Sequence, residues 1–572
     1  MPGMVGFTAS VSREENKKTV LSHMQDLITH FGSYVRSELF VDSHVSACHS
    51  DKCIAARGLQ PFSERGVSVW LDGELFEVKE PANTIRPMPW TATEIVCKLF
   101  LEDPTLSFLR SLDGIFAAVV YDANNAKLHL ITDRYGLRHL YWLRHNQGLV
   151  WASEVKAMLA LPDFRPKIDR MSVQYFVKEG FVPDDRTWFE GVHLLGPGTV
   201  LTWDLRQGTL AAEKYWGWEC IKQLTGKIDE LEIADELARL LIRATNMRCR
   251  QGERIGTLLS GGLDSRGILA SMPDRDGPLN CVTFGKMDCL DLCIARRVAE
   301  EKHATHHFVE INAENFLKGR AAGVWWIDGE SNLFDLHVAG LLPRDREFFD
   351  IVFDGFWGDT IVGGRHIRPT GSHEIDKLNN RGRRLVINGP RFLNTWLECR
   401  LPYCDNDLVD LAMSLPHEIR ANSDVHKKML LRNFTAFYDY IPWEHTWLPI
   451  GFPRVPAQGR FFRQKWIVKW FFMAFWRKVQ AAYRSTSYVD YDSWIRQEPA
   501  RAFLQSILRS KSALYPEFVP REEVLLRWNR HLTGHDAARQ ILAYVTLELW
   551  LQQVFEGKYR PEASSPAAVW VL

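Results

Sequence analysis

Between residues 255 and 265 an apolar run meets two glycines and a helix-forming stretch: Gly256-Thr-Leu-Leu-Ser260-Gly261-Gly262-Leu263-Asp264-Ser265. Two glycines let the backbone close on an anion, and the helix that follows supplies free N–H groups and a positive dipole end. This feature demands a strand feeding directly into a helix, and the chain around it complies. Apolar strands are predicted at 255–259, 280–284, 307–311 and 349–354, with helices starting at Ser265 and covering 292–301. Such alternation is the signature of a parallel α/β sheet. No Lys follows the glycines, so this is not the loop of ordinary NTPases. Asp264 beside a polyphosphate repels it unless a cation lies between, so Asp264 implies Mg²⁺.

A second glycine and acid cluster, Asp354-Gly355-Phe356-Trp357-Gly358-Asp359-Thr-Ile-Val-Gly363-Gly364, follows the last predicted strand. Ligands of open parallel sheets bind at the carboxyl ends of strands, so both loops should open onto one crevice, with Asp264 and Asp359 sharing the metal.

Upstream the period changes. Residues 67–71 alternate and run into Asp72-Gly73, read as a hairpin turn. Segments 115–121 and 127–132 form a second hairpin, and 195–203 a turn and last strand. Residues 207–219 read as a linker, and an amphipathic helix starts near Asp229, so two domains are expected, 1–212 and 213–572, with a mostly helical tail after Leu401. Lys plus Arg (70) equals Asp plus Glu (70), which excludes a nucleic-acid binder working by bulk positive charge. Ten irregularly spaced cysteines suit reduced thiols, and no apolar run suits a signal peptide or a membrane span, so a cytoplasmic location is expected. Cys48-His49-x3-Cys53 lacks the second pair that zinc requires. His306-His307 reads as structural. The basic aromatic stretch 460–478 is a packed helix or a surface-binding amphipathic one.

Together these residues resemble the asparagine synthetase family. The Ser260–Ser265 loop resembles the pyrophosphatase-type loop of enzymes that cleave ATP to AMP and pyrophosphate. Gly355, Asp359, Gly363 and Gly364 match the family's SGxGxDExxGG element. Glu398, Arg400, Pro402 and Asp405 match E-x-R-x-P-x-x-D, and Lys428, Leu431 and Arg432 match K-x-x-L-R; the terminal Leu547-Glu548-Leu549-Trp550-Leu551 is also typical. Leu112-Asp113-Gly114, Asp133-Arg134-Tyr-Gly136-Leu-Arg138, Ala152-Ser153-Glu154 and Pro197-Gly198 are similar to its glutamine amidotransferase half. The resemblance implies an Ntn-type four-layer αββα domain followed by an α/β ATP-pyrophosphatase domain. It implies a carboxylate activated by ATP as an acyl-adenylate and then attacked by an amine. Leu259, Ser260, Gly261, Gly262, Asp264, Ser265, Phe284 and Gly355 would hold ATP and pyrophosphate. Asp264 and Asp359 would hold Mg²⁺, Glu398 would take the amine's proton, and Lys428 would neutralise phosphate.

The departures are as informative. Val5 stands where relatives keep a catalytic Cys, Asp72 where their oxyanion-stabilising Asn lies, and Ala92 where an Asp grips glutamine, so glutamine hydrolysis is not expected. Phe356 replaces the Tyr of β-lactam synthetases and the Glu of asparagine synthetases. The pyrophosphate-binding Lys about twenty residues beyond Lys428 is absent from 447–452, with Lys427, Arg432 or Arg454 as substitutes. Arg266, where a small residue is usual, reaches a phosphate or faces solvent. The preferred expectation is an amide ligase tailoring a small molecule or peptide, as in macrolactam closure by lasso cyclases, with a precursor peptide and a companion processing protein as partners. The alternatives are an ammonia-using asparagine synthetase and a nucleotide- or partner-binding pseudoenzyme.

Overall fold

A computed structural model describes residues 2–11, 16–54, 58–79, 90–274, 277–341, 345–364, 372–421, 424–451 and 487–561. The first half folds into two antiparallel sheets packed face to face. One is built on Gly3–Thr8, Val45–Asp51 and Gly148–Ala152, the other on Val67–Val78, Leu112–Asp122, Lys127–Thr132 and Thr199–Asp204. Alternation along each strand divides the apolar side chains. Met4, Trp70, Val119, Leu130 and Trp151 meet between the sheets. Val5 and Phe7 turn the other way, toward Leu21, Met24 and Ile28 of the helix Lys17–Ile28. The helix Ala92–Glu102 covers the second sheet, its start fixed by a capping box between Thr91 and Glu94. The result is the four-layer αββα order.

Two local expectations are corrected. Asp72-Gly73 is no turn: the strand runs unbroken from Val67 to Val78 beside Leu112–Asp122. Gly73 takes φ +117° inside it, and a Cβ there would meet the Ile115 carbonyl oxygen at 2.1 Å, so the glycine serves close strand approach. Part of the expected linker is an edge strand, Thr209–Lys214, paired with Thr199–Asp204.

The second half begins with the helix Glu230–Met247, capped by the Asp229 carboxylate and buried along Ala234, Leu237, Leu241 and Ala244. Its sheet is wholly parallel, in the order Thr305–Glu310, Asn280–Gly285, Ile255–Leu258, Ile351–Phe353, Glu398–Arg400. The last strand was not expected from the sequence. In chain order this is 3-2-1-4-5, so the direction of winding reverses beside Ile255–Leu258, and a crevice opens at the carboxyl ends of that strand and Ile351–Phe353. Helices including Ala500–Arg509, Arg521–Leu532 and Ala538–Phe555 form the tail. No described helix is long and apolar enough to cross a membrane. The stretch 460–478 lies outside the described residues.

The halves are joined through buried polar contacts. Arg400 holds Glu74 at 2.8 Å, and Arg248 bridges Asp113 and Asp405, each at 3.2 Å. Arg383 donates to the carbonyl of Gly136. Tyr135, Trp216 and Trp218 pack together, and Trp357 from the second half completes the cluster, 5.4 Å from Tyr135.

Candidate active site

The loop after Ile255–Leu258 is held in an anion-accepting shape by its own serines. The Ser260 N–H donates to Ser265 Oγ at 3.1 Å, and the Gly262 N–H to Ser260 Oγ at 3.1 Å. The Gly261 N–H donates to the Asp291 carboxylate at 2.9 Å. A protein carboxylate thus already sits where the loop receives an anion. Asp264 opens the helix Asp264–Ser271 directly behind the loop.

Asp264 also reaches the second loop, its Oδ2 accepting the Asp359 N–H at 2.8 Å. Close approach depends on Gly358, where a Cβ would lie 2.5 Å from the Asp264 carboxyl carbon. Asp264 and Asp359 both line a crevice of about 520 Å³. Leu259, Ser260, Gly262, Ser265, Phe284 and Gly355 line the same crevice, and Gly261 joins two of them in the chain, so the expected ATP set is gathered in one place. Motif reading missed Asp291, Thr283, His426, Trp443, Glu444, His445 and Tyr488, which also line it. Asp354, the first residue of the second cluster and in the position of that motif's Ser, lines it as well. Burial pushes its carboxyl up to about 6. Burial likewise lowers His426 to about 4, opposed by the charge of Asp359, so the ring is neutral at pH 7.

Two expected catalytic residues are not brought to the crevice. Glu398 opens the last strand opposite Ile351, toward the amino end of the sheet, and is 1% exposed. It pairs with Lys52 at 3.0 Å and with Arg138, both from the first half. Lys428 lies on the outer side of the helix Asp424–Asn433, bridged to Glu230. Its neighbour Lys427 lines the crevice instead. Of the other proposed substitutes, Arg432 is paired with Asp235 on the surface, and Arg454 lies outside the described residues. Arg266 neither lines the crevice nor faces solvent. Fully buried, it donates to the carbonyls of Gly261, Phe437, Ile441 and Pro442, tying the loop to the segment that carries Trp443 and Glu444. Phe356 is buried and stacks on Trp357 with centroids 5.0 Å apart. Trp357 adopts φ +72° at a position where the motif has glycine.

In the first half, Val5 is a fully buried mid-strand residue opposite Ala152 and Cys48. Asp72 is 1% exposed with Arg138 at 3.8 Å, and Ala92 is the first residue of its helix. Cys48 is buried and Cys53 exposed, both as free thiols, and no described cluster joins them to a metal. His306 and His307 bond across to Thr283 and Asn280 of the neighbouring strand, each at 2.9 Å, as structural residues do.

Residues 1–216 match the glutamine amidotransferase domain family, and residues 236–386 and 394–468 match asparagine synthase. The chain belongs to the asparagine synthetase family. Among curated relatives of this member, amidase chry2 of Gibberella zeae is 27% identical over 59% of this chain and 54% of its own length. Amidase chyE of Penicillium rubens is 28% identical over 58% and 53%. The glutamine-hydrolysing asparagine synthetase of Mus musculus is 25% identical over 68% and 73%. The family member described here thus spans about half the length of the two amidases.

Proposed function

We propose that the chain is an ATP-dependent, AMP-forming amide ligase whose amine does not come from glutamine hydrolysis in its own first domain. The observation that carries this reading is the Gly261 loop, which holds a carboxylate on its N–H and has the Asp264–Asp359 pair beside it. In the reaction, a substrate carboxylate oxygen attacks the α-phosphorus of ATP and pyrophosphate leaves, giving an acyl-adenylate. An amine then attacks the acyl carbon and AMP departs. The loop N–H groups, released from Asp291 and the serines, bind the departing pyrophosphate, and Lys427 offsets its charge. Asp264 and Asp359 offer carboxylate oxygens to the same crevice, which suits Mg²⁺; these two residues would hold it, and it would neutralise phosphate charge.

Val5, Asp72 and Ala92 favour an amine from a small molecule or from the substrate itself over glutamine-derived ammonia. This points to tailoring of a peptide or secondary metabolite, with a precursor peptide and a companion processing protein as partners. The test is ATP–pyrophosphate exchange with L-aspartate, L-glutamate and peptides bearing free Asp or Glu side chains, followed by identification of the amine in the product. Asp264→Asn and Asp359→Asn should each abolish AMP and pyrophosphate release with the circular dichroism spectrum unchanged. Aspartate and ammonium as sole substrates would make the chain an ammonia-using asparagine synthetase. No exchange with any carboxylate would leave a nucleotide- or partner-binding protein.

A further inference from the structure

With Phe356 stacked on Trp357 and Glu398 at the domain junction, the crevice needs another group to accept the amine's proton. Its other carboxylates have tasks on the phosphate side. Asp264 is bonded to the Asp359 backbone, and Asp291 to Gly261. Glu444 lies over the same loop, its Oε1 3.6 Å from a Cβ built on Gly262. The ring of His426 is 2% exposed, with Nε2 sealed inside the protein.

Asp354 differs. It directly follows the strand Ile351–Phe353, at the point where the sheet's winding reverses, and it lines the crevice. One carboxylate oxygen is fixed: Oδ1 accepts the Phe356 N–H at 2.8 Å. The other makes no hydrogen bond among the described residues and is not sealed from solvent. The backbone beside it is locked as well. The Asp354 N–H donates to Arg400 O at 3.1 Å, and a Cβ on Gly355 would lie 3.0 Å from Asp264 Cβ. The carboxylate is therefore positioned to within a bond rotation, one oxygen anchored and one presented to the crevice.

Building on the ligase reading, we propose that Asp354 is the catalytic base of amide formation. An ammonium bound beside the acyl-adenylate gives one proton to Asp354 Oδ2 and so exposes its lone pair. The nitrogen forms the C–N bond, the acyl C–O bond breaks with its electron pair going to AMP, and the second N–H proton leaves to solvent. A carboxyl raised toward neutrality by burial suits this task better than one of ordinary acidity, because the amine's proton has less far to climb.

The test uses the full chain with ATP, Mg²⁺ and the carboxylate panel above. Ammonium or the peptide's own α-amine serves as one acceptor and hydroxylamine as the other. Hydroxylamine is unprotonated at neutral pH and traps acyl-adenylates without a base. Asp354→Asn should keep pyrophosphate exchange and hydroxamate formation and lose amide by about 10²–10⁴-fold. Asp354→Ser, which restores the motif's own residue, should do the same, and Asp354→Glu should recover part of the amide rate. Wild-type amide rates in Asp354→Asn would overturn the proposal and leave the ligase reading intact. So would joint loss of exchange, hydroxamate and amide in a folded variant, which would make Asp354 an ATP contact. A wild type that forms hydroxamate but no amide leaves Asp354 nothing to deprotonate and also overturns it. A wild type without exchange on any carboxylate removes the ligase reading, and this proposal with it.

Discussion

Glu398→Gln separates two accounts of the same residue. The family motif makes Glu398 a base, whereas the structure makes it the anion of a buried cluster between domains. Its partners are Lys52, with a fully buried side chain, and Arg138, 4% exposed. Removing one member of a buried ion pair costs about 3–5 kcal/mol, because the remaining charge is stranded away from water. The cations here retain other acceptors: Lys52 also donates to Asn394 O at 2.9 Å, and Arg138 to Asn394 Oδ1 at 3.3 Å. The cost therefore sits near the lower bound, about 3 kcal/mol, which would lower a melting midpoint by roughly 6–12 °C in a domain of 150–250 residues and lowers it by less in a second half of this greater length. Thermal melting followed by circular dichroism reads this directly, and pyrophosphate exchange and amide formation should decline together. In a Lys52→Met background the same substitution should cost at least 1 kcal/mol less, since the two residues share one interaction. An unchanged midpoint with selective loss of amide formation would refute the reasoning and return Glu398 to the role of base.

Three further outcomes are expected. Purified protein should release no glutamate from glutamine above a no-enzyme blank, and Val5→Cys should not restore release, because that side chain faces the helix Lys17–Ile28 within the core. Lys427→Ala should raise the KM for ATP or abolish pyrophosphate exchange, whereas Lys428→Ala, which loses only a half-exposed pair with Glu230, should change either by less than about twofold. Asp354→Asn should stabilise the protein at high pH. Burial holds the folded carboxyl at about 6 against an ordinary 3.8, so this group's contribution to stability falls as pH rises through that window and is level above it. The variant should therefore match wild type below pH 4 and exceed it by on the order of 1–3 kcal/mol above pH 7, as read from denaturant melts at the two pH values.

What was legible in the sequence shares one property: it is local. Ser260, Gly261, Gly262, Asp264 and Ser265 form their loop with one another, so their spacing alone carries the geometry, and the strand feeding them carries the sheet. Asp359 follows from the same logic applied to a second glycine-rich turn. Glu398 and Lys428 failed to reach the crevice for the opposite reason. Their surroundings are set by Arg138 and Glu230, 260 and 198 residues away in the chain, and no motif records those partners. Asp291, Glu444 and Tyr488 were invisible because tertiary packing alone assembles them. Asp72-Gly73 misled because a glycine at positive φ marks both a turn and a close strand contact, and only the neighbouring Ile115 carbonyl tells them apart. Arg266 reads as surface or ligand in the sequence because a lone arginine on a helix normally is. Four converging backbone carbonyls paid for its burial here.

Trp357 carries a consequence for how such a chain can change. Two domains that met only across a mobile linker could vary independently of each other. Here they cannot: the loop bearing Asp359 is packed, through a tryptophan in a glycine's backbone conformation, onto Tyr135 and Trp218 of the aromatic cluster at the junction. A change in the first half at Tyr135 would therefore be felt in the loop of the second half that carries Asp359. A first domain taken from a relative would have to reproduce this packing face as well as its own fold.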